Sequence, residues 1–237
     1  MTLDSLEKGF NVEEWEKLAP ALWTPLVDEQ RELFAMHATI VQCKRGEFLF
    51  HEGETPKYLY YLISGKVVMW RKGIADQQQI VRMVEPGAIF GYAAAFNGES
   101  YLSAAEVGAD SDILKVPLRL VFHFIWENSS FAMLFLKELS ALLGLSTERT
   151  MHLTQKHIRG RLAEILLTMF KKYGTEEDGQ TLAVYVSREE LGQMSNMTTS
   201  NAIRTLSAFA SEGLVAIVGR KLKIIDEEGL QRISQMG

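Results

Sequence analysis

Residues 187–215 read SREELGQMSNMTTSNAIRTLSAFASEGLV, and this stretch decides the fold because it spells two short helices sharing one apolar core. Ser187 and Glu190 stand at capping-box spacing, so hydroxyl and carboxylate can each satisfy an orphan N–H where a helix starts. Leu191 and Met194 then point inward. Asn196 and Met197 follow as a turn, and Thr198 caps a second helix. Its apolar positions Ile203, Leu206 and Phe209/Ala210 recur at helical spacing until Gly213 ends it. This is a helix-turn-helix pattern. The second helix leaves Thr199, Ser200, Asn201, Arg204 and Ser207 facing outward from its N-terminal half, the end that enters a major groove. Ser187 and Thr198, at the two helix starts, complete the candidate DNA contacts there. Hydroxyls and amides meet base edges or phosphates at little desolvation cost, and Arg204 can pair bidentately with guanine or hold a phosphate. A merely solvated helix face would carry the same residues.

The segment that follows favours the first alternative. Leu214–Val218 and Leu222–Ile225 are apolar, β-prone runs joined by Gly219, Arg220 and Lys221, which predicts a hairpin with a basic tip. Such a hairpin is the wing of a winged helix-turn-helix, with Arg220, Lys221 and Lys223 as phosphate contacts that add affinity but little sequence information. The plainer reading is a surface hairpin with solubilising charges.

A chain of 237 residues, 47% hydrophobic and 23% charged, holds one large or two ordinary soluble domains. Its net charge of −5 argues against polyanion binding by the whole molecule. From Ile158 onward ten Lys/Arg face ten Asp/Glu, so any DNA contact rests on local charge. The single cysteine, Cys43, excludes an intrachain disulfide and an all-cysteine metal or iron–sulfur site within one chain. The polar start Met1–Phe10 does not read as a signal peptide, and no apolar run reads as long enough to cross a bilayer. A cytoplasmic protein with no membrane partner is expected.

Upstream, residues 11–37 predict two short helices broken by Pro20 and Pro25, the second opening at Asp28 to Arg31. From Ala38 to Val116 short runs rich in Val, Ile, Tyr and Phe are punctuated by glycines, which predicts a small antiparallel barrel or jelly roll with corners at those glycines. The expected strands are Thr39–Gln42, Glu47–Phe50, Tyr58–Ser64, Lys66–Arg71, Gln78–Val84, Tyr101–Val107 and Asp112–Lys115. After Asn128 a long helix runs to about His157. There Ala132, Leu136, Leu139, Leu143, Ser146, Thr150, Leu153 and His157 keep a four-three alternation, the mark of a coiled-coil seam. Its simplest partner is a second copy, which makes a two-fold homodimer and sets two recognition helices about one DNA turn apart. Packing on the chain's own barrel is the competing reading, because Leu134, Phe135, Leu142 and Leu145 widen the apolar face. Ser146, Thr147 and Thr150 interrupt the seam, either to set register or to touch a ligand. Beyond it Ile158, Leu162, Ile165, Leu166 and Met169 make a packing helix. Gly174–Gly179 is an acidic loop, Thr181–Val186 a strand, and Glu228–Met236 a frayed helix.

The α+β order of barrel, long helix and winged helix-turn-helix resembles the CRP/FNR superfamily of bacterial transcription regulators across nearly the whole chain. GEFLFHEGETPKYLYYLISGKV (46–67), PGAIFGYAAAF (86–96), HIRGRLAEILL (157–167) and SREELGQMSNMTTSNAIRTL (187–206) carry the resemblance. It implies an effector-sensing domain over 1–127, a dimerisation helix over 128–157 and a DNA-binding domain over 158–237. Double-stranded DNA, a second copy of the chain, RNA polymerase and a small effector are the implied partners. Nucleotide-binding relatives cradle phosphate on a segment resembling FGELxxxxxxxxRSA; here it reads FGYAAAFNGESYLSA. Gly91 and Ser103 are kept, while Tyr92 replaces the Glu that holds the ribose and Leu102 the Arg that pairs with phosphate. The implied pocket is Gly91, Tyr92, Ala93, Leu102 and Ser103 with Ser146 and Thr147. Losing the Arg–phosphate pair removes on the order of a few kcal/mol, which disfavours cyclic AMP bound in the usual way. An iron–sulfur cluster is disfavoured by the lone cysteine. Haem would need an axial ligand from His37, His51, His123, His152 or His157. Alanines 93–95 suit a small uncharged effector, or a site filled by side chains. The recognition helix carries Thr199 and Ser200 where the family usually has Arg-Glu, so a half-site departing from the family consensus is expected.

Two other classes compete. A cupin-like metalloenzyme needs paired histidines and a later His, and His51-Glu52 stands alone. A sensing or interaction module that no longer binds DNA would fit the neutral C-terminal charge.

Overall fold

A computed structural model describes residues 12–73 and 78–236. The side chains of 148–155 are not among the described ones, so the seam positions Thr150 and Leu153 and the haem candidate His152 lie outside the described residues. The chain divides into two compact units, Met1–Leu142 and Leu143–Gly237.

The first unit opens with α1 (Val12–Leu18), α2 (Pro20–Trp23) and α3 (Asp28–His37), three helices where two were expected. Pro20 seeds its own short turn, as a proline at the first helical position can. Trp15, Trp23 and Phe34 then pack on one another, Trp15 and Phe34 meeting edge to face at 5.2 Å. The strands are β1 (Thr39–Cys43), β2 (Phe48–Phe50), β3 (Tyr58–Lys72), β4 (Gln78–Val84), β5 (Ile89–Phe90) and β6 (Ala104–Pro117), with a short helix α4 (Ala93–Phe96) after β5. All pairings are antiparallel. The order is β1-β6-β3-β4, with β2 also on β6 and β5 also on β3.

Lys66–Arg71 is not a separate strand from Tyr58–Ser64, nor Asp112–Lys115 from the strand ahead of it, which begins at Ala104 and not Tyr101. The glycine expected to mark a corner marks a bulge instead. Gly65 sits at φ +94°, and a Cβ there would come within 2.5–2.7 Å of the Asp110 and Ser111 backbone. Ser111 Oγ accepts from the Lys66 N–H at 3.0 Å and donates to the Ala109 carbonyl at 2.6 Å. The extra residue is thus pinned and the strand bends without breaking.

Helix α5 (Leu118–Glu127) ends at Asn128, whose extended backbone breaks it from α6 (Ser129–Gln155). Asn128 Oδ1 accepts the Phe131 N–H at 3.0 Å, capping α6, while its Nδ2 donates to the Pro25 carbonyl and Gln30 Oε1, both at 2.8 Å. One face of α6 buries Phe131 and Phe135 in the core of the first unit, with Leu134 and Leu139 half-buried against it. The other leaves Leu136 57% and Leu143 69% exposed, with Met133 and Leu145 also out. By length and composition alone, residues 129–147 reach a bilayer-spanning length and apolarity, against expectation. Lys137 and Glu138 interrupt that window, and Glu138 accepts from Arg82 of β4 at 3.1 Å, so the helix is bound to its own sheet.

The second unit holds α7 (Ile158–Tyr173), α8 (Arg188–Met194), α9 (Thr199–Ser211), the hairpin β7 (Val215–Val218) and β8 (Lys221–Ile224), and α10 (Glu227–Met236). The buried stripe of α7 is Leu162, Ala163, Leu166, Leu167 and Met169, while Ile158 is exposed and Ile165 half-buried. Thr181–Val186 is not a strand. It makes isolated bridges, the Leu182 N–H donating to the Leu222 carbonyl and the Ile224 N–H to the Gln180 carbonyl, each at 2.9 Å. Nor is α10 frayed: Asp226 Oδ1 accepts from the Gly229 N–H at 2.8 Å, and Leu230 is fully buried as α10 packs on α7.

Candidate nucleic-acid interface

The helix-turn-helix assembles through contacts its own sequence supplies. Ser187 Oγ accepts the Glu190 N–H at 3.1 Å and Glu190 Oε2 accepts the Ser187 N–H at 2.8 Å, the expected capping box. Gly192 lets α8 approach the next helix, since a Cβ there would lie 3.0 Å from the Met197 carbonyl and 3.3 Å from Thr199. The turn passes through Asn196 at φ +50°, in the left-handed region that Asn tolerates. Arg161 of α7 fixes that turn, its guanidinium donating to the carbonyls of Ser195 (2.8 Å), Lys156 (3.1 Å) and Asn196 (3.2 Å). Reading the motif alone misses this residue. The signal lay in the HIRGRL stretch, an Arg on a helix otherwise turned to the core.

Thr198 Oγ1 accepts the Asn201 N–H at 3.3 Å and so starts α9. Ala202, Thr205, Leu206 and Phe209 are buried beneath it. Thr198, Thr199, Ser200, Ile203, Arg204 and Ser207 are exposed and Asn201 is half-buried, its Oδ1 accepting from Arg204 at 3.2 Å. Ile203 is a correction: expected inward, it stands 47% exposed. Ala202 and Thr205 take the inward positions because their small side chains let α9 lie close to its neighbours.

The hairpin has the expected basic tip, but its cations are engaged within the chain. Lys221 pairs with Glu176 at 2.5 Å and Lys223 with Asp178 at 2.7 Å, both partners lying in the acidic loop after α7. Lys223, the Thr181 hydroxyl and the Thr181 and Gln180 N–H groups together hold the Asp178 carboxyl well below the usual carboxylate range. Arg220 stacks over Tyr185 with 5.9 Å to the ring centroid.

In the first unit, Gly91 adopts φ +77° against the ring of Tyr60, which a Cβ would approach to 2.6 Å. Tyr92 is 1% exposed and packs edge to face on Phe135 at 5.2 Å. Ala93 and Leu102 are exposed and Ser103 half-buried. Ser146 and Thr147 lie on the part of α6 assigned to the second unit, Thr147 Oγ1 donating to the Leu143 carbonyl at 3.0 Å. Among the described histidines, the His37 Nδ1 lies 3.0 Å from the Leu33 carbonyl, His51 stacks on Phe48 at 4.5 Å, and the His123 Nε2 lies 3.3 Å from Glu127.

Comparison with known proteins matches both units. The family model described as the cyclic nucleotide-binding domain matches residues 40–128, and that of the Crp-like helix-turn-helix domain residues 160–233. The chain is 27% identical to the cAMP-activated global transcriptional regulator CRP of Pasteurella multocida, over 85% of this chain and 97% of that protein. It is 25% identical to the CRP-like cAMP-activated global transcriptional regulator of Mycobacterium tuberculosis, over 81% and 86%. Among solved structures it resembles FixK2 from Bradyrhizobium japonicum, with a TM-score of 0.74 and 22% identity over 83% of this chain and 96% of that one.

Proposed function

This chain belongs to the CRP/FNR superfamily of transcription regulators, and from that premise we propose that it binds a pseudo-palindromic duplex as a cytoplasmic homodimer, with a small effector in the barrel setting its affinity. In this reading residues 1–127 sense, 128–157 join the two copies and 158–237 read DNA. Contact with RNA polymerase would then follow from its work at promoters. The observation that carries the reading is the exposed face of α9, Thr199, Ser200 and Arg204, on a capped helix with a hairpin following it. Such a face offers donors, acceptors and one forked cation to base edges. Ser187 and Thr198 accept from N–H groups of their own helices as caps, and each hydroxyl keeps its O–H to donate to a phosphate oxygen. The hairpin tip offers Arg220 to phosphate, and Lys221 once it exchanges Glu176 for the duplex.

The barrel residues do not suit a cyclic nucleotide held in the usual way. No cation stands at position 102 to meet a phosphate, and Tyr92 fills the ribose-holding position with a buried ring. An uncharged effector fits those side chains better.

Selection from a random duplex library with the purified protein tests the proposal. An enriched two-fold symmetric sequence is expected, and Arg204→Ala should weaken it by about 1–3 kcal/mol with relaxed preference at one base pair. A uniform loss across sequences would make Arg204 a phosphate contact. No enrichment at modest salt, with or without candidate effectors, would favour the sensing module without DNA binding, a reading supported by the ion pairs that occupy Lys221 and Lys223.

A further inference from the structure

Ile203 is the one large apolar side chain exposed on α9 among the described residues. It is flanked one turn to either side by Thr199 and Ser207, and beside it stands Arg204. We propose that Ile203 is a specificity residue that reads the C5-methyl group of a thymine, so that each half-site holds a T·A pair next to the pair contacted by Arg204. The proposal rests on the DNA-binding reading above.

The argument starts from cost. Single exposed apolar side chains are common on surfaces, but on a face that enters a groove the burial of a branched alkyl group by the partner is favourable. Four side chains are buried beneath α9, Ala202, Thr205, Leu206 and Phe209, and the larger Ile203 is turned out beside the two smallest. The spacing 199, 203, 207 sets one line of side chains along the helix, and 200, 204 the adjacent line. Residues 199, 200, 203 and 204 belong to the N-terminal half that enters the groove. In the major groove the thymine methyl is the one apolar feature a base pair displays, while guanine offers the acceptor pair suited to Arg. Isoleucine and arginine at neighbouring positions therefore select neighbouring base pairs of different kind. Ile203 cannot hydrogen-bond, so a C·G or G·C pair, which lacks the methyl group, gives it no apolar contact there.

The test uses the full-length protein and the duplex it enriches from a random library. Each thymine is replaced in turn by deoxyuridine, which removes only the methyl group. At one symmetric position per half-site the wild-type protein should lose roughly three- to fivefold in affinity per methyl removed. Ile203→Ala should bind the parent duplex correspondingly more weakly and be indifferent to that replacement. Ile203→Val should keep most of the sensitivity. Because position 203 is exposed, both variants should melt with the wild type. An enriched site with no methyl-sensitive thymine, or a loss of the same size in Ile203→Ala, would overturn the assignment while leaving DNA binding intact. Absence of any enriched duplex would overturn both together.

Discussion

At the scale of single residues, the buried tyrosines of the first unit give the sharpest expectations. Tyr92 is 1% exposed and its hydroxyl has no hydrogen-bond partner among the described residues; Tyr101, stacked on Phe50 at 3.7 Å, is in the same condition. An unmade bond on a buried hydroxyl costs about 1–3 kcal/mol. Tyr92→Phe should therefore leave thermal stability unchanged or raise it by about 1 kcal/mol. A loss larger than that would show that the hydroxyl is engaged. Burial, reinforced by Tyr58 and Glu54, pushes the Tyr60 phenol up to about 12, and burial moves Tyr92 and Tyr101 upward as well. The unfolded chain ionises its tyrosines at about pH 10. Above that pH the unfolded state has shed protons that the folded state keeps, so stability is intact below pH 10 and falls as pH rises toward 12. Melting temperatures between pH 9 and 11 should decline, and less steeply in Tyr92→Phe.

At the scale of elements, the acidic loop and the hairpin form a matched pair. Glu176→Gln would release Lys221 to the duplex, so affinity should rise by up to about fivefold at low salt. The slope of log affinity against log salt should steepen by about one. Lys221→Ala should erase that gain; if Glu176→Gln leaves both affinity and slope untouched, Lys221 does not meet phosphate. None of this was legible in the sequence, because Glu176 and Lys221 are 45 residues apart and charge counting says nothing of who faces whom. What could be read was what neighbours in the chain decide. The capping box at Ser187, the cap at Thr198 and the hairpin around Gly219 fell where expected, since each is closed by bonds within three or four residues. Gly65 and Ile203 depart from expectation for the opposite reason. A glycine signals a bend but not whether a distant strand such as β6 spans it, and helical spacing narrows an inward face without choosing between Ala202 and Ile203.

At the scale of the whole molecule, the exposed leucines of α6 ask for a second chain. Leu143→Asp should convert the dimer to a monomer by sedimentation and lower affinity for a full symmetric site on the order of 100-fold or more, because each half would then bind alone. An unaltered sedimentation profile would remove the seam. With a second copy as the cover for Leu136 and Leu143, the competent species forms by a bimolecular step. At low abundance promoter occupancy then grows as the square of the monomer level, which makes the rate at which the cell synthesises and degrades the chain a control input in its own right: halving the supply quarters the response.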